Sequence, residues 1–492
     1  MDKDAFALNI DGVENLVGSD TNKVGSLDNV QEGIVSDFVD DLDLDMDDDE
    51  LLDLKRAYEN KSSPYTGKIE PRQKQNKTYL LGTQKQSALG NKTVPSNILF
   101  EATATFVPQA LAKNPEPVVW SDNTTEGKAA SNDIKTMLQF KSDTLCLRKK
   151  LGVMVWHWGI YFTAVIKHGW NAEIGDITSE VRKPQNFVFD PDGYVDEYGD
   201  FVGQFLGERI KSTAQELVDL YPDCKDYISA QVSNKMGTNI VRTEWWNNKY
   251  CFVTYEDKVL EKHKNPFFNY DTEKPNHFAV PKMPYTFLSV FSLQEQPHDM
   301  TNLIEQNIAN QDSVNNRDIQ IEKNLAHGNN AIAVSDINFN SETAHQAADA
   351  LEKGDPILVP GKIEGAIMRL PANALPNGIL DSQQINKDTL RGIYGTNGLT
   401  PDNQDRDTTA RGMILNQSHD SSRIGGGIGD ALEQVADNIF NWWLQLFYVF
   451  LLWLENRDDL LFQCLRTQCN QRMRLLSRIW PLTWQTRVGS TL

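Results

Sequence analysis

Apolar residues recur at three- and four-residue steps through much of this chain, and the breaks in that period divide it into elements. Ile134, Met137, Leu138, Leu145, Leu147, Leu151, Met154 and Val155 keep the step and predict one long helix from Asp133 to Trp158. Ahead of it, Ile98–Leu111 is apolar on more than one helical face, the pattern of a buried helix. Order is expected from about Glu50–Ala57. Glu70–Leu81 places basic and polar residues before Tyr79, Leu80 and Leu81, and Thr124–Ala130 reads as a polar turn region. Gly159–Ile166 fits a buried strand or a helix end. Period two then takes over in Asn186–Glu208, with turn chemistry at Asp190-Pro191-Asp192-Gly193. A short helix follows over Ser212–Tyr221, capped by Ser212 or Thr213. A hairpin through Arg242–Phe267 turns first at Asn247-Asn248. Up to this point the pattern is that of an α+β body.

Beyond Pro297 the character changes. A polar helix capped by Asp299 or Thr301 runs to His327, where Gly328-Asn329-Asn330 stops it. Its apolar stripe is narrow: Leu303, Ile304, Ile308, Val314, Ile321 and Leu325. Such a stripe anchors a lone helix poorly, and packing beside copies of itself is the expectation. A compact insert follows, with strands at Ala331–Val334, Ile357–Val359 and Ile363–Leu370 and a helix from Ser341 to Leu351. At this size it has too little core to stand alone. Ile379–Tyr394 forms a second helix, the polar stretch from Gly395 to Asp407 a loop, and Thr408 or Thr409 opens a last helix reaching Leu454. Gly425, Gly426, Gly427 and Gly429 interrupt that helix, and a kink or a close backbone approach is expected there.

Charge changes the picture at both ends. The formal net charge is −20, but residues 1–60 hold eighteen acidic and only four basic side chains. The acidity is mostly that of a tail, for which disorder or partner docking through Phe38, Val39, Leu42, Leu44 and Met46 is expected. No basic patch dominates, so tight gripping of nucleic acid through its phosphates is not expected. Five cysteines show no CxxC pairing, which points to a reducing compartment, and no secretory signal is expected. Asn438–Leu454 is uncharged but short of a bilayer span and carries Asn438, Asn441 and Gln445, so no membrane partner is expected.

Catalytic chemistry is thin. Asp190, Asp192, Asp196, Glu197 and Asp200 can be weighed as a metal or acid–base cluster, even a metal-dependent nuclease. A calcium loop needs its glycine sixth, whereas Gly193 is fourth, and a solvated hairpin turn accounts better for the acids. The glycines at 425–429 lack a preceding strand and the full nucleotide fingerprint, and no GxxxxGK[ST] is present. His157 between Trp156 and Trp158 reads as a core histidine. Arg406, among Asp402, Asp405 and Asp407, either pairs locally or touches DNA. Neither an enzyme nor a cofactor or metal site is expected.

With this layout in view, the sequence resembles the portal (head-to-tail connector) proteins of tailed bacteriophages, of podovirus and related type. The matching stretches are residues 57–82, 99–119, 187–204, 375–380, the run from GTNGLT through TARGMILNQ, and 423–450. The resemblance implies an α+β, predominantly helical portal fold assembled as a ring. Its parts would be an acidic disordered tail (1–50), wing (51–298), first stem helix (299–327), clip (328–372), second stem helix (373–394), tunnel loop (395–408), long kinked wing helix (409–456) and an atypical C-terminal tail (457–492). It further implies a dodecameric homo-oligomer at one capsid vertex of the virion, assembled in the bacterial host cytoplasm, with double-stranded DNA passing through. Implied partners are the terminase large subunit, head-completion, adaptor or tail proteins, and the capsid and scaffolding proteins. Asn397, Thr400, Asp402, Asn403, Gln404, Asp405, Arg406 and Asp407 would line the channel. A neck adaptor or capsid subunit is the alternative within the virion. The match fades after Phe450, and residues 457–492 hold six Arg, two Asp and no Lys or Glu, which fits a shortened terminus or a shifted reading frame.

Overall fold

The structure is a computed structural model that describes residues 44–84, 96–111, 115–120, 124–171, 175–233, 235–267, 281–330, 332–334, 340–353, 367–369, 378–396, 425–456 and 488–491. The first helix, α1, is a single rod, Asp48–Leu80, with Pro64 and Pro71 inside it. It begins before the expected Glu50 and joins two stretches that the sequence pattern separates. α2 spans Ile98–Ala110, capped by the Asn97 side chain, which accepts from Phe100 N–H. A short strand β1, Glu116–Val119, follows.

Two expectations are corrected next. Thr124–Ala130 is not a turn region: Thr124 is an N-cap accepting from Gly127 N–H, and α3 runs Thr125–Thr144. Nor is Asp133–Trp158 one helix. It breaks at Cys146, whose φ of 52° is left-handed, and restarts as α4, Leu147–Tyr161. Apolar period continues across the break because both helices bury their stripes in one core, which contains Ile134, Leu138, Leu147, Leu151 and Met154. His157 is half-buried rather than in the core.

Both readings of Gly159–Ile166 apply, since α4 ends there on left-handed Phe162 and a strand starts. β2 (Ala164–Asn171) lies between β3 (Asp176–Arg182) and β11 (Tyr285–Leu288) in a three-stranded sheet. β4 (Phe187–Phe189) and the hairpin of β5 (Tyr194–Val195) with β6 (Phe201–Val202) occupy the predicted β region, with Gly193 N–H closing the turn onto Asp190 C=O at 3.0 Å. β7 (Leu206–Thr213) leads into α5 (Ala214–Leu220) through a complete capping box of Thr213 and Glu216. After α6 (Lys225–Gln231), the strands β8 (Asn239–Trp246), β9 (Tyr250–Tyr255) and β10 (Lys258–Lys264) complete an antiparallel sheet of order β10-β9-β8-β7-β4.

The two sheets are tied by buried charge. Glu208 and Glu244 are direct cross-strand partners on β7 and β8, an arrangement that repels. Lys167 of β2 places its ammonium 3.0 Å from one carboxylate and 2.9 Å from the other. Burial alone would depress this lysine, but Glu208 and Glu244 outweigh it and hold its pKa above the ordinary value. Tyr285 O–H donates to Glu208 at 2.8 Å, and Trp246 Nε1–H to Glu244 at 2.6 Å.

A long helix α7, Leu303–Asn330, continues past the expected stop at Gly328. The insert contains β12 (Ile332–Val334), α8 (Ser341–Lys353) and β13 (Ile367–Arg369), with β12 and β13 antiparallel. Asn340 caps α8 by accepting from Thr343 N–H at 3.0 Å. The strand expected at Ile357–Val359 lies outside the described residues. α9 is Gly378–Tyr394. The glycine string winds as a π-helical turn, Gly425–Gly429, and open space around Gly427 means that no backbone closely approaches it. The chain then enters α10, Asp430–Asn456, which buries Leu432, Ala436, Ile439, Phe440 and Trp443 in the main core. Among the described residues no helix is long and apolar enough to cross a membrane. β14 (Val488–Thr491) pairs antiparallel with β1.

Candidate functional site

The polar helix α7 is held by side chains whose burial no local pattern reveals. Asp299 and Asn302, just ahead of it, are fully buried. Asp299 accepts from Trp158 Nε1–H at 2.7 Å and from the N–H groups of Val290 and Phe291 at 2.8 Å each, and it bonds Ser289 Oγ. It is therefore not the cap of α7. That role falls to Asn302, which accepts from Glu305 N–H at 2.8 Å while donating to Gly159 C=O at 2.9 Å.

Gly159 belongs to the last turn of α4, where a helix leaves carbonyls without partners. Two amides from α1 complete the set: Gln73 donates to Tyr161 C=O at 3.2 Å and Asn76 to Ile160 C=O at 3.4 Å. Three buried amides thus fasten α1, α4 and the base of α7 together. α1 also runs parallel to the chain entering α7. Tyr65 O–H meets His298 Nδ1 at 2.8 Å, Arg72 grips Glu305 through two nitrogens at 2.8 Å, and Tyr79 O–H donates to Asp312 at 2.8 Å. Seven residues separate successive members on both sides, and on α1 that is near two helical turns, so Tyr65, Arg72 and Tyr79 form one row.

Higher up, the buried face of α7 includes Asn307, Gln311 and Asn315 beside Ile304 and Val314. Gln311 reads the start of α2 by accepting from Leu99 N–H at 3.1 Å and donating to Ser96 C=O at 2.7 Å. α9 lies antiparallel against α7: Gln383, near its start, bonds Asp318 of α7, whereas its end meets the helix that Gln311 holds. There Arg391 donates to Glu101 at 2.8 Å and the Tyr394 and Thr103 hydroxyls are hydrogen-bonded at 2.9 Å. Burial pushes the Tyr394 phenol well above its ordinary pKa, so it stays neutral.

α9 stops in a Schellman motif. Gly395 has a φ of +72°, its N–H bonds Gly392 C=O at 3.2 Å, and Thr396 N–H bonds Arg391 C=O at 2.9 Å. Thr396 is fully buried. On the far side of residues 397–424, the π turn also packs on α2, with Ile428 in the core. Both described ends of the 397–424 segment therefore converge on α2. The loop residues named from the sequence (Asn397, Thr400, Asp402, Asn403, Gln404, Asp405, Arg406 and Asp407) lie outside the described residues, as does any part of the last helix before Gly425.

The carboxylates around Asp190 serve turns. Asp190 is buried, accepts from Asp192 N–H at 3.3 Å and Gln204 N–H at 2.9 Å, and pairs with Lys61 at 2.7 Å. Asp196 accepts from Tyr198 and Asp200 N–H, and Asp200 bonds Lys282 and Asn438. Among the described residues no group of three or more His, Cys, Asp or Glu side chains could hold a metal ion.

Two buried histidines give the assembly a pH dependence. His298 lies between Tyr65 and the Phe189 ring, and His168 between Ser179, Thr286 and the stacked Trp442 ring. Burial, helped by nearby cations, depresses both to about 3. An unfolded histidine titrates near ~6.5. The unfolded chain therefore binds protons below that pH that the folded chain refuses, and stability falls as pH drops from about 6.5 toward 3. Between pH 7 and 5 each histidine should contribute a loss of about 2 kcal/mol. Denaturant unfolding at both pH values checks this, and His298→Phe should remove one histidine's share of the slope.

No protein-family model matches the chain, and no curated protein matches it either.

Proposed function

We propose that this chain is the portal subunit of a tailed bacteriophage. In this reading it forms a dodecameric ring at one capsid vertex and the channel for packaging and ejecting double-stranded DNA. α7 and α9 are the stem helices, β12–α8–β13 the clip that docks the terminase large subunit and later the neck or tail adaptor, and 395–408 the tunnel loop. The observation that carries the reading is the antiparallel pair α7–α9, bracketing a small α/β insert, with the described ends of the 397–424 segment meeting on one helix, α2. A channel loop needs a rigid base if a duplex is to slide past it. The Schellman stop, Arg391–Glu101 and Tyr394–Thr103 supply one. Concentration of acid in the first sixty residues, without a dominant basic patch, suits passage better than gripping.

Native mass spectrometry or particle imaging of the purified chain tests the ring directly, with twelve copies around an open channel expected. A monomer under assembly conditions would count against the reading. Deleting Gly398–Asp405 should leave the ring intact and impair DNA packaging or retention. Loss of the ring on that deletion would mean that the loop is part of the assembly contacts.

A further inference from the structure

A groove between α2 and α4 is lined by Val107, Leu111, Leu147, Gly152, Val153 and Trp156. Its volume of about 720 Å³ lies within the ~300–1,000 Å³ of pockets that enclose a whole ligand, so it has room for more than one side chain. Arg148 and Lys149 form an exposed cationic rim, and Cys146, also exposed, lies at the end where α4 starts. An open apolar floor rimmed by charge marks a place where something docks.

A loop of the same chain has matching chemistry. Between β11 and α7, Phe291, Leu293 and Met300 are 40%, 65% and 44% exposed. Glu295 among them is exposed too, opposite in sign to the rim. Hydrogen bonds hold this loop in shape. Val290 and Phe291 N–H end on Asp299, Gln294 N–H bonds Ser292 Oγ at 3.0 Å, Gln296 donates to Met300 Sδ at 2.8 Å, and Arg72 donates to Met300 C=O at 2.7 Å. An apolar knob already ordered in the free chain loses little entropy when it docks.

Position selects a second copy as the owner of the knob. Phe291 packs edge-on against Trp158, with ring centroids 5.6 Å apart. Trp158 follows Trp156 by two residues, about 200° around α4, so the knob lies behind the helix whose front bears the groove. One chain therefore cannot fill its own groove, and two copies cannot exchange knobs reciprocally. Copies can join only head to tail, the contact that closes a ring or runs on as a filament. We propose that residues 291–300 of one copy dock in the α2–α4 groove of the next, with Leu293 on its apolar floor and Glu295 toward the Arg148–Lys149 rim. This contact rests on the ring reading for self-association and adds which faces meet.

Cys146 makes the contact testable in the full chain. A Glu295→Cys variant, which keeps the apolar knob, is oxidised mildly with diamide and its linked peptides are mapped by mass spectrometry, while native mass spectrometry gives the assembly state of the parent. The expected product joins the introduced thiol to Cys146 of a different copy, as a ladder of covalent multimers. It should vanish with Cys146→Ser and fall at least tenfold with Leu293→Asp or Val153→Asp, which leave both thiols in place and replace side chains already exposed in the subunit. If the parent forms a ring but the introduced thiol stays reduced, or links as readily to Cys224, Cys464 or Cys469, other faces meet and the ring reading stands. Cys146-linked chains from a parent that forms no closed ring uphold the contact and overturn the ring. A Cys146 link within one chain overturns the head-to-tail contact, and a monomeric parent that gives no link overturns both.

Discussion

Asp299→Ala should lower the unfolding free energy by about 4–6 kcal/mol, because it strands several buried donors that each cost about 1–3 kcal/mol when unpaired. The Trp158 indole N–H and the Val290 and Phe291 amides all end on one carboxylate oxygen, and Ser289 on the other. Solvent cannot replace the aspartate, since Asp299 is fully buried and Trp158 nearly so. The damage should concentrate where α7 leaves the body, as Asp299 N–H also bonds the carbonyl of Phe162, the left-handed cap of α4. Denaturant unfolding gives the total, and hydrogen exchange at Val290 and Phe291 gives its location. Asp299→Asn keeps one acceptor oxygen and should cost less than the alanine. A loss below about 1 kcal/mol for Asp299→Ala would show that the junction is not organised around this side chain.

Lys167→Met is the second large effect. The lysine is the counter-ion of two buried carboxylates from adjacent strands, and breaking a buried charge network by removing one partner costs about 3–5 kcal/mol. In the native protein burial would raise the Glu244 carboxyl, but Lys167 outweighs it and holds the pKa below the usual range. Arg182 stays 3.4 Å from Glu208, but Glu244 loses its nearest cation, so without the ammonium a proton on the carboxylate pair relieves the repulsion. The penalty of the variant, measured against the parent, should therefore shrink as pH falls from 8 to 5. Lys167→Met combined with Glu208→Gln and Glu244→Gln should recover most of the loss, because the repelling charges go with the lysine. A triple variant no better than the single one would mean that packing, not charge, is at stake here.

Local rules made several elements legible. Thr213 followed by Glu216 announces the capping box of α5, Asp190–Gly193 announces a turn, and Gly395 after Tyr394 announces the end of α9. The failures also have physical causes. Pro64 and Pro71 break the local case for a continuous α1, yet Asp48 at its start, Gln73 within it and Tyr79 near its end are held by β10, α4 and α7. Thr125–Asn132 is too polar to register as helix, but Thr124 caps it. The break at Cys146 carries neither Gly nor Pro, and the left-handed residue is tolerated because helices on both sides share a core. At the candidate site, the loop residues named from the sequence lie outside the described residues. The side chains that hold the described end of α9, Arg391, Glu101, Tyr394 and Thr103, had no local signature.

Among the described residues after Pro297, the sequence by itself determined the kinds of elements and their order up to α10, because helical and strand periods are set by residues a few positions apart. Tertiary structure alone decided which polar side chains became structural. Gln73, Asn76, Asn302 and Gln311 look like surface amides in the sequence, and each is buried because a distant backbone group comes within hydrogen-bonding distance. An amide's burial is favourable only when such a partner is present. Those partners lie 84 to 215 residues away along the chain, beyond the reach of any local pattern.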